Sequence, residues 1–115
     1  MILIRLVGGL GNQMFQYAMA SSVARRVGKR LKLDLSWIHQ MEKQLVADDI
    51  YGLGIFSFEK VFSNSDEVHR FLPSGRFAAK ICRAINLALP FAWRNVLEER
   101  EMGWHPEVME IRRSV

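Results

Sequence analysis

ILIRLVGGLGNQMFQYAMA, residues 2–20, decides the fold. Ile2, Leu3, Ile4, Leu6 and Val7 make a nearly unbroken aliphatic run with one charge, Arg5, the pattern of a strand covered on both faces of a parallel sheet. The run stops at Gly8. Gly8, Gly9 and Gly11 lack a Cβ and tolerate positive φ, which lets the chain turn sharply and lets a ligand approach the main chain. Asn12 suits a helix N-cap, its side-chain oxygen accepting an N–H of the first turn. The other first-turn amides and the positive end of the helix dipole then point over the loop, where they stabilise a diphosphate without a metal.

A helix is expected from Gln13 to Val27. Met14, Phe15, Tyr17, Ala18, Met19, Val23, Ala24 and Val27 give it a wide apolar stripe, and small Ala20, Ser21 and Ser22 suit close packing on a sheet. Arg25 and Arg26 complement the dipole in its last turn and Gly28 is placed to end it. Leu31 to Leu35, LKLDL, alternates apolar and polar and reads as a second strand, parallel to the first because a helix crosses between them. The unit is βαβ, an α/β arrangement.

Two nucleotide fingerprints are testable against the glycines. Counted from Gly9, G-x-G-x-x-G requires Gly or Ala at position 14, where Met14 stands. The P-loop spacing G-x-x-x-x-G-K-[S/T] is not found around these glycines, which removes support for ATP hydrolysis. Asp34 lies 23 positions after Gly11, near where a dinucleotide-binding fold holds a ribose hydroxyl with an acid. Its plainer reading ends a strand and caps the next turn with Ser36. The glycines likewise admit a plain reading as a tight strand-to-helix turn.

Beyond Ser36 the signals weaken. Residues 37–49 are polar and mixed, fitting a loop or a short helix. Tyr51, Leu53, Ile55, Phe56 and Phe58 cluster around Gly52 and Gly54 as an expected third strand or extended packing segment. Ser63-Asn64-Ser65-Asp66-Glu67 reads as a loop entering a helix that Pro73-Ser74-Gly75 breaks. Arg76 to Ala92 is amphipathic through Phe77, Ile81, Ile85, Leu87, Ala88, Leu89 and Phe91, with Lys80 and Arg83 on the polar side and an interruption at Pro90. Such a stripe fits peripheral contact with a membrane and, more commonly, a core or another domain. The tail from Arg94 to Val115 alternates charge and bulk around Trp104-His105-Pro106 and is expected to fray if the chain ends there.

The 115 residues are one domain's worth, so a single partial α/β domain over 1–115 is expected. Half are hydrophobic and 24% charged, a globular balance that argues against disorder over most of the length. The net charge of +4 suits anionic ligands or surfaces, but with no aromatic–basic array a nucleic-acid partner is not expected. Cys82 is the sole cysteine, which removes an intrachain disulfide and a cysteine zinc cluster and fits a reducing compartment. No basic leader with an apolar core opens the chain and no run approaches 18 apolar residues, so the expected location is cytoplasmic, with a peripheral seat at the inner membrane face left open as an alternative.

No catalytic residue follows from pattern. His39, His69 and His105 are far apart and not at ligand spacing, so no metal site is expected; Ser21, Ser22 and Cys82 lack a nucleophile elbow. Glu98, Glu99 and Glu101 read as a solvated helix face rather than a paired acid and base.

Gly8-Gly9-Leu10-Gly11-Asn12-Gln13-Met14-Phe15-Gln16-Tyr17-Ala18, eleven consecutive residues after an aliphatic strand, resembles the opening motif of the α-1,2-fucosyltransferases of glycosyltransferase family 11. Looser likeness continues through Leu33-Asp34-Leu35-Ser36, Tyr51-Gly52-Leu53 with Phe56, and Trp104-His105-Pro106-Glu107-Val108. The resemblance implies the Rossmann-like N-terminal part of a two-domain GT-B glycosyltransferase whose C-terminal nucleotide-sugar domain is missing. The family's downstream His-x-Arg-x-Gly-Asp segment has no counterpart: His69-Arg70 runs into Phe71-Leu72-Pro73 and Arg112-Arg113 into Ser114-Val115. Such an enzyme would transfer fucose from GDP-fucose to a galactoside hydroxyl with inversion and without a metal or other cofactor. Eukaryotic members typically carry a membrane anchor, and this chain looks like the soluble bacterial type. The resemblance places Gly8, Gly9, Gly11, Asn12 and Gln13 along the interdomain cleft, their amides and the Asn12 amide group reaching the diphosphate or the acceptor. Two other classes stay open: an oxidoreductase-type nucleotide module with Asp34 on a ribose, and a non-catalytic truncated remnant.

Overall fold

The computed structural model describes residues 1–45, 50–71 and 75–88, and its contacts divide the chain into two compact units at Asn64/Ser65. The first unit holds strand β1 (Ile2–Arg5), helix α1 (Leu10–Val27), strand β2 (Leu31–Asp34), helix α2 (Ser36–Leu45) and a 3-10 turn, Leu53–Ile55. β1 and β2 pair in parallel with Ile2 opposite Leu31, Ile4 opposite Leu33 and Arg5 opposite Asp34. Leu6 N–H to Asp34 C=O, 3.0 Å, carries the pairing past the strand ends. The βαβ unit expected from sequence is present, as a small α/β arrangement.

Helix α1 begins earlier than its sequence suggests. Its N-cap is Gly9, in extended conformation and without a side-chain cap, so Asn12 lies inside the first turn and is not the cap. A polar side chain is not needed there because the first turn is exposed and water can meet its amides. The other end follows expectation. Gly28 is left-handed, with φ 65°, and its N–H reaches Arg25 C=O while Lys29 N–H reaches Ala24 C=O at 2.9 Å, the paired bonds of a Schellman motif.

The face that α1 buries also differs. Gln13, Ala20, Val23 and Ala24 are buried and Gln16 and Tyr17 half-buried, whereas Met14, Phe15 and Ala18 are exposed. Positions 13, 16, 17, 20, 23, 24 and 27 recur at helical spacing and form one stripe; Phe15 falls on the other side. Two glutamines head a stripe that continues in small and aliphatic residues.

Leu6, Leu33, Ile38 and Leu53 are the fully buried core, and Ile4, Tyr17, Leu31, Leu35, Trp37, Ile50, Tyr51, Phe56 and Phe58 pack around them. Of the two readings for 51–58, a third strand or a packing segment, the second describes the structure: a 3-10 turn and an aromatic stack pack on the core, with Tyr17 and Phe58 centroids 4.2 Å apart and Phe56 and Phe58 5.6 Å apart. Extended pairing occurs later. Leu33 N–H donates to Val61 C=O and Ser63 N–H to Leu33 C=O, a parallel bridge between Leu33 and Phe62. Leu33 bonds to this segment while Arg30 and Asp34 bond to β1, so the bridge lies on the opposite edge of β2. Residues 37–45, expected as a loop or short helix, are helical within α2, where Ile38 is fully buried and Trp37 and Met41 are half-buried.

The second unit contains helix α3 (Ser65–Phe71) and helix α4 (Arg76–Ala88). α3 carries Asp66 and Glu67 in its first turn and Arg70 in its last, each sign at the end of the dipole it favours. Pro90, the Glu98–Glu101 stretch and Trp104-His105-Pro106 lie outside the described residues.

Candidate functional site

The site is the junction of β1, the glycine loop and the first turn of α1, with a second loop at Ile50–Gly52 laid against it. Gly8 has φ 76°, and a Cβ added there would stand 2.5 Å from Asn12 Nδ2. Only glycine meets both conditions without strain. Gly9 is extended, with φ −76° and ψ −177°, and Gly11 is helical, so of these three glycines Gly8 alone uses a positive φ. A Cβ at Gly9 or Gly11 would meet nothing within 4 Å. The fold therefore does not require glycine at either position, and what their missing side chains do is leave the exposed backbone bare.

Gln13 holds this junction from inside. Its side chain is fully buried; Nε2 donates to Gly8 C=O at 2.8 Å and to Ile50 C=O at 2.7 Å, while Oε1 accepts Gly52 N–H at 2.9 Å. Both donors and the acceptor are engaged. Its side chain, expected to line a cleft, is thus turned inward in this structure to tie two loops together. One turn on, Gln16 Oε1 accepts Val7 N–H at 3.0 Å and Gln16 Nε2 donates to Val7 C=O at 3.3 Å, an amide-to-amide clamp that sequence reading missed. The available signal was the i, i+3 spacing of two glutamines on the face that α1 buries.

The second loop fits closely. A Cβ at Gly52 would come 2.8 Å from Leu10 Cδ1 and 3.0 Å from Leu10 Cβ, so glycine lets this loop lie on the start of α1. Between the two anchored groups of this loop the Tyr51 hydroxyl is buried without a hydrogen-bond partner among the described residues. Burial pushes its pKa up and nearby Tyr17 adds to the shift.

Above this frame the first turn of α1 is open. The first backbone bond into the helix is Gln13 N–H to Gly9 C=O, 3.1 Å, which leaves the amides of Leu10, Gly11 and Asn12 without acceptors in the helix. No acidic residue stands in that turn, and Gly9, Leu10, Gly11 and Asn12 are exposed. An anion placed there meets oriented N–H groups and the positive end of the dipole. Gly9, Gly11 and Asn12 are brought together on the open side, half-buried Gly8 makes the turn behind them, and Gln13 faces the other way.

Asp34 ends β2 with both carboxylate oxygens engaged: Arg5 Nε donates to Oδ2 at 2.7 Å and Ser36 N–H to Oδ1 at 2.8 Å. The reading of Asp34 as a strand-end cap describes this geometry. Burial raises its pKa, but the Ser36 and Arg5 hydrogen bonds and the Arg5 charge outweigh it, and the carboxyl titrates below its ordinary value. His39 contacts Glu42 at 3.3 Å across one helical turn on the surface. Among the described residues no three His, Cys, Asp or Glu side chains cluster at metal-binding distance, and no helix is long and apolar enough to cross a membrane. A separate cleft of about 480 Å³, lined by Tyr17, Ser21, Arg30, Lys32, Glu59 and Val61 among others, contains none of the glycine-loop residues.

Comparison of the chain with family models, curated proteins and solved structures gives no match.

Proposed function

We propose that this chain is the N-terminal, Rossmann-like part of a GT-B glycosyltransferase of the α-1,2-fucosyltransferase type, whose glycine loop and first α1 turn face a GDP-fucose donor or its galactoside acceptor. The observation that carries the reading is the division of labour within residues 8–18. Gly8, Gln13 and Gln16 are spent on shaping the loop, while Gly9 and Gly11 serve no need of the fold and flank open amides. That is the arrangement expected where a phosphate or sugar must come within hydrogen-bond distance of backbone. The order of β1, β2 and the bridge at Phe62 supports the Rossmann-like part of the reading, because a βαβ unit that continues past β2 on the edge away from β1 builds half of a doubly wound sheet. The glycine loop follows the carboxyl end of β1, the edge at which such sheets bind ligands.

The oxidoreductase reading is less well supported, since Asp34 is buried with each carboxylate oxygen already engaged, by Arg5 and by the Ser36 amide, and Met14 breaks the fingerprint. Transfer by these 115 residues alone is not expected, because the arginine-bearing donor segment implied by the resemblance is not in the sequence. Calorimetric titration of the chain with GDP-fucose, a β-galactoside and NAD⁺ tests the reading. Saturable binding of GDP-fucose or the galactoside and none of NAD⁺ supports it; binding of NAD⁺ alone overturns it.

A further inference from the structure

Helix α4 presents an apolar arc to solvent with cations along one flank. Phe77, Ile81 and Ile85 recur every four residues and are 79%, 45% and 58% exposed. Ala78, Cys82, Ala84 and Ala88, also exposed, fill the same side of the helix. Arg76, Lys80 and Arg83 border this arc on one side, and the helix contains no acidic residue. Half-buried Ala79 and Asn86 lie opposite. The apolar arc of Phe77, Ile81 and Ile85 is thus turned to water, the reverse of a helix that covers its own core with its apolar face.

We propose that α4 is a docking element for an anionic lipid surface, lying in the plane of the interface with Phe77, Ile81 and Ile85 in the acyl boundary and Arg76, Lys80 and Arg83 among the headgroups. The charge pattern selects this occupant. Every charge on the helix is positive and borders the apolar arc, so a negatively charged surface satisfies both at once, the long basic side chains reaching headgroup level while their stems stay apolar. A second copy of the same helix would instead bring these cations against one another along the seam.

Cys82 lies within the arc, is exposed, and is the sole cysteine of the sequence, which makes it a native attachment point for an environment-sensitive fluorophore. The labelled 115-residue chain is titrated with phosphatidylcholine vesicles and with vesicles that also contain phosphatidylglycerol. The emission shifts to the blue with the anionic vesicles only, and high salt reverses the shift. Lys80→Gln weakens the partition about fivefold, as expected for one interfacial cation, and Ile81→Ser about tenfold or more, with far-ultraviolet dichroism unchanged in both. No shift with anionic vesicles, an equal shift with neutral ones, or a blue-shifted dimer formed without lipid would each overturn the proposal.

Discussion

Gln13 puts one amide to three uses, and the loss of each is separable. Gln13→Leu keeps the volume but leaves Gly8 C=O, Ile50 C=O and Gly52 N–H unpartnered, and is expected to cost roughly 2–4 kcal/mol in a urea melt. The glycines of the same loop behave oppositely to one another. Gly8→Ala forces a Cβ into a left-handed conformation against Asn12 and lowers stability by about 1–2 kcal/mol. Gly11→Ala enters a helix with open space around it and raises stability by about 0.5–1 kcal/mol, while placing a methyl group beside the exposed amides. Asn12→Asp adds an anion to the first turn of a helix that has none. It is expected to leave stability unchanged or raise it by about 0.3–1 kcal/mol, and to weaken binding of a phosphate ligand about fivefold, the effect of roughly 1 kcal/mol of repulsion at about 4 Å. Equal phosphate binding by Asn12→Asp and the parent chain would remove Asn12 from the ligand side.

At the scale of elements, β1 and β2 are pinned at their carboxyl ends by Arg5 and Asp34, in register and 2.7 Å apart. The Asp34 pKa is lowered in the folded state, so its contribution to stability is present above the unfolded value of about 3.8 and is lost as pH falls below that through the folded value. Melting temperature is expected to fall as the pH drops below about 4, and Asp34→Asn to flatten that part of the profile. An unchanged slope in Asp34→Asn would show that other carboxylates govern acid unfolding.

The β1–α1–β2 succession was legible because aliphatic runs, a glycine turn and a Gly28 stop are local signals. The start of α1 was not, since Asn12 is a good cap in isolation and the exposed first turn does without one. Nor was its buried face, because glutamine is counted as polar until its carbonyl and amide partners are known. In α2, the spacing of Trp37, Ile38 and Met41 held a helical signal that the surrounding His39, Gln40, Glu42 and Lys43 diluted. The bridge at Phe62 rests on hydrogen bonds to Leu33, a long-range pairing that no local pattern of Val61, Phe62 and Ser63 announces.

For the whole molecule, the two compact units present two different chemistries: an open helix terminus on a parallel sheet in one, a basic amphipathic helix in the other. The central claim concerns the first of these, that residues 9–12 are a ligand-facing surface which Gln13 and Gln16 hold from behind. The most direct measurement is an amide-resolved ¹H–¹⁵N titration of the chain with GDP-fucose, run in parallel on Gly11→Ala. The account predicts shifts concentrated at the amides of Gly9, Leu10, Gly11 and Asn12, reduced in Gly11→Ala although that variant is the more stable protein. Shifts centred elsewhere, on the cleft of Tyr17, Arg30 and Lys32 for instance, or undiminished in Gly11→Ala, would contradict it.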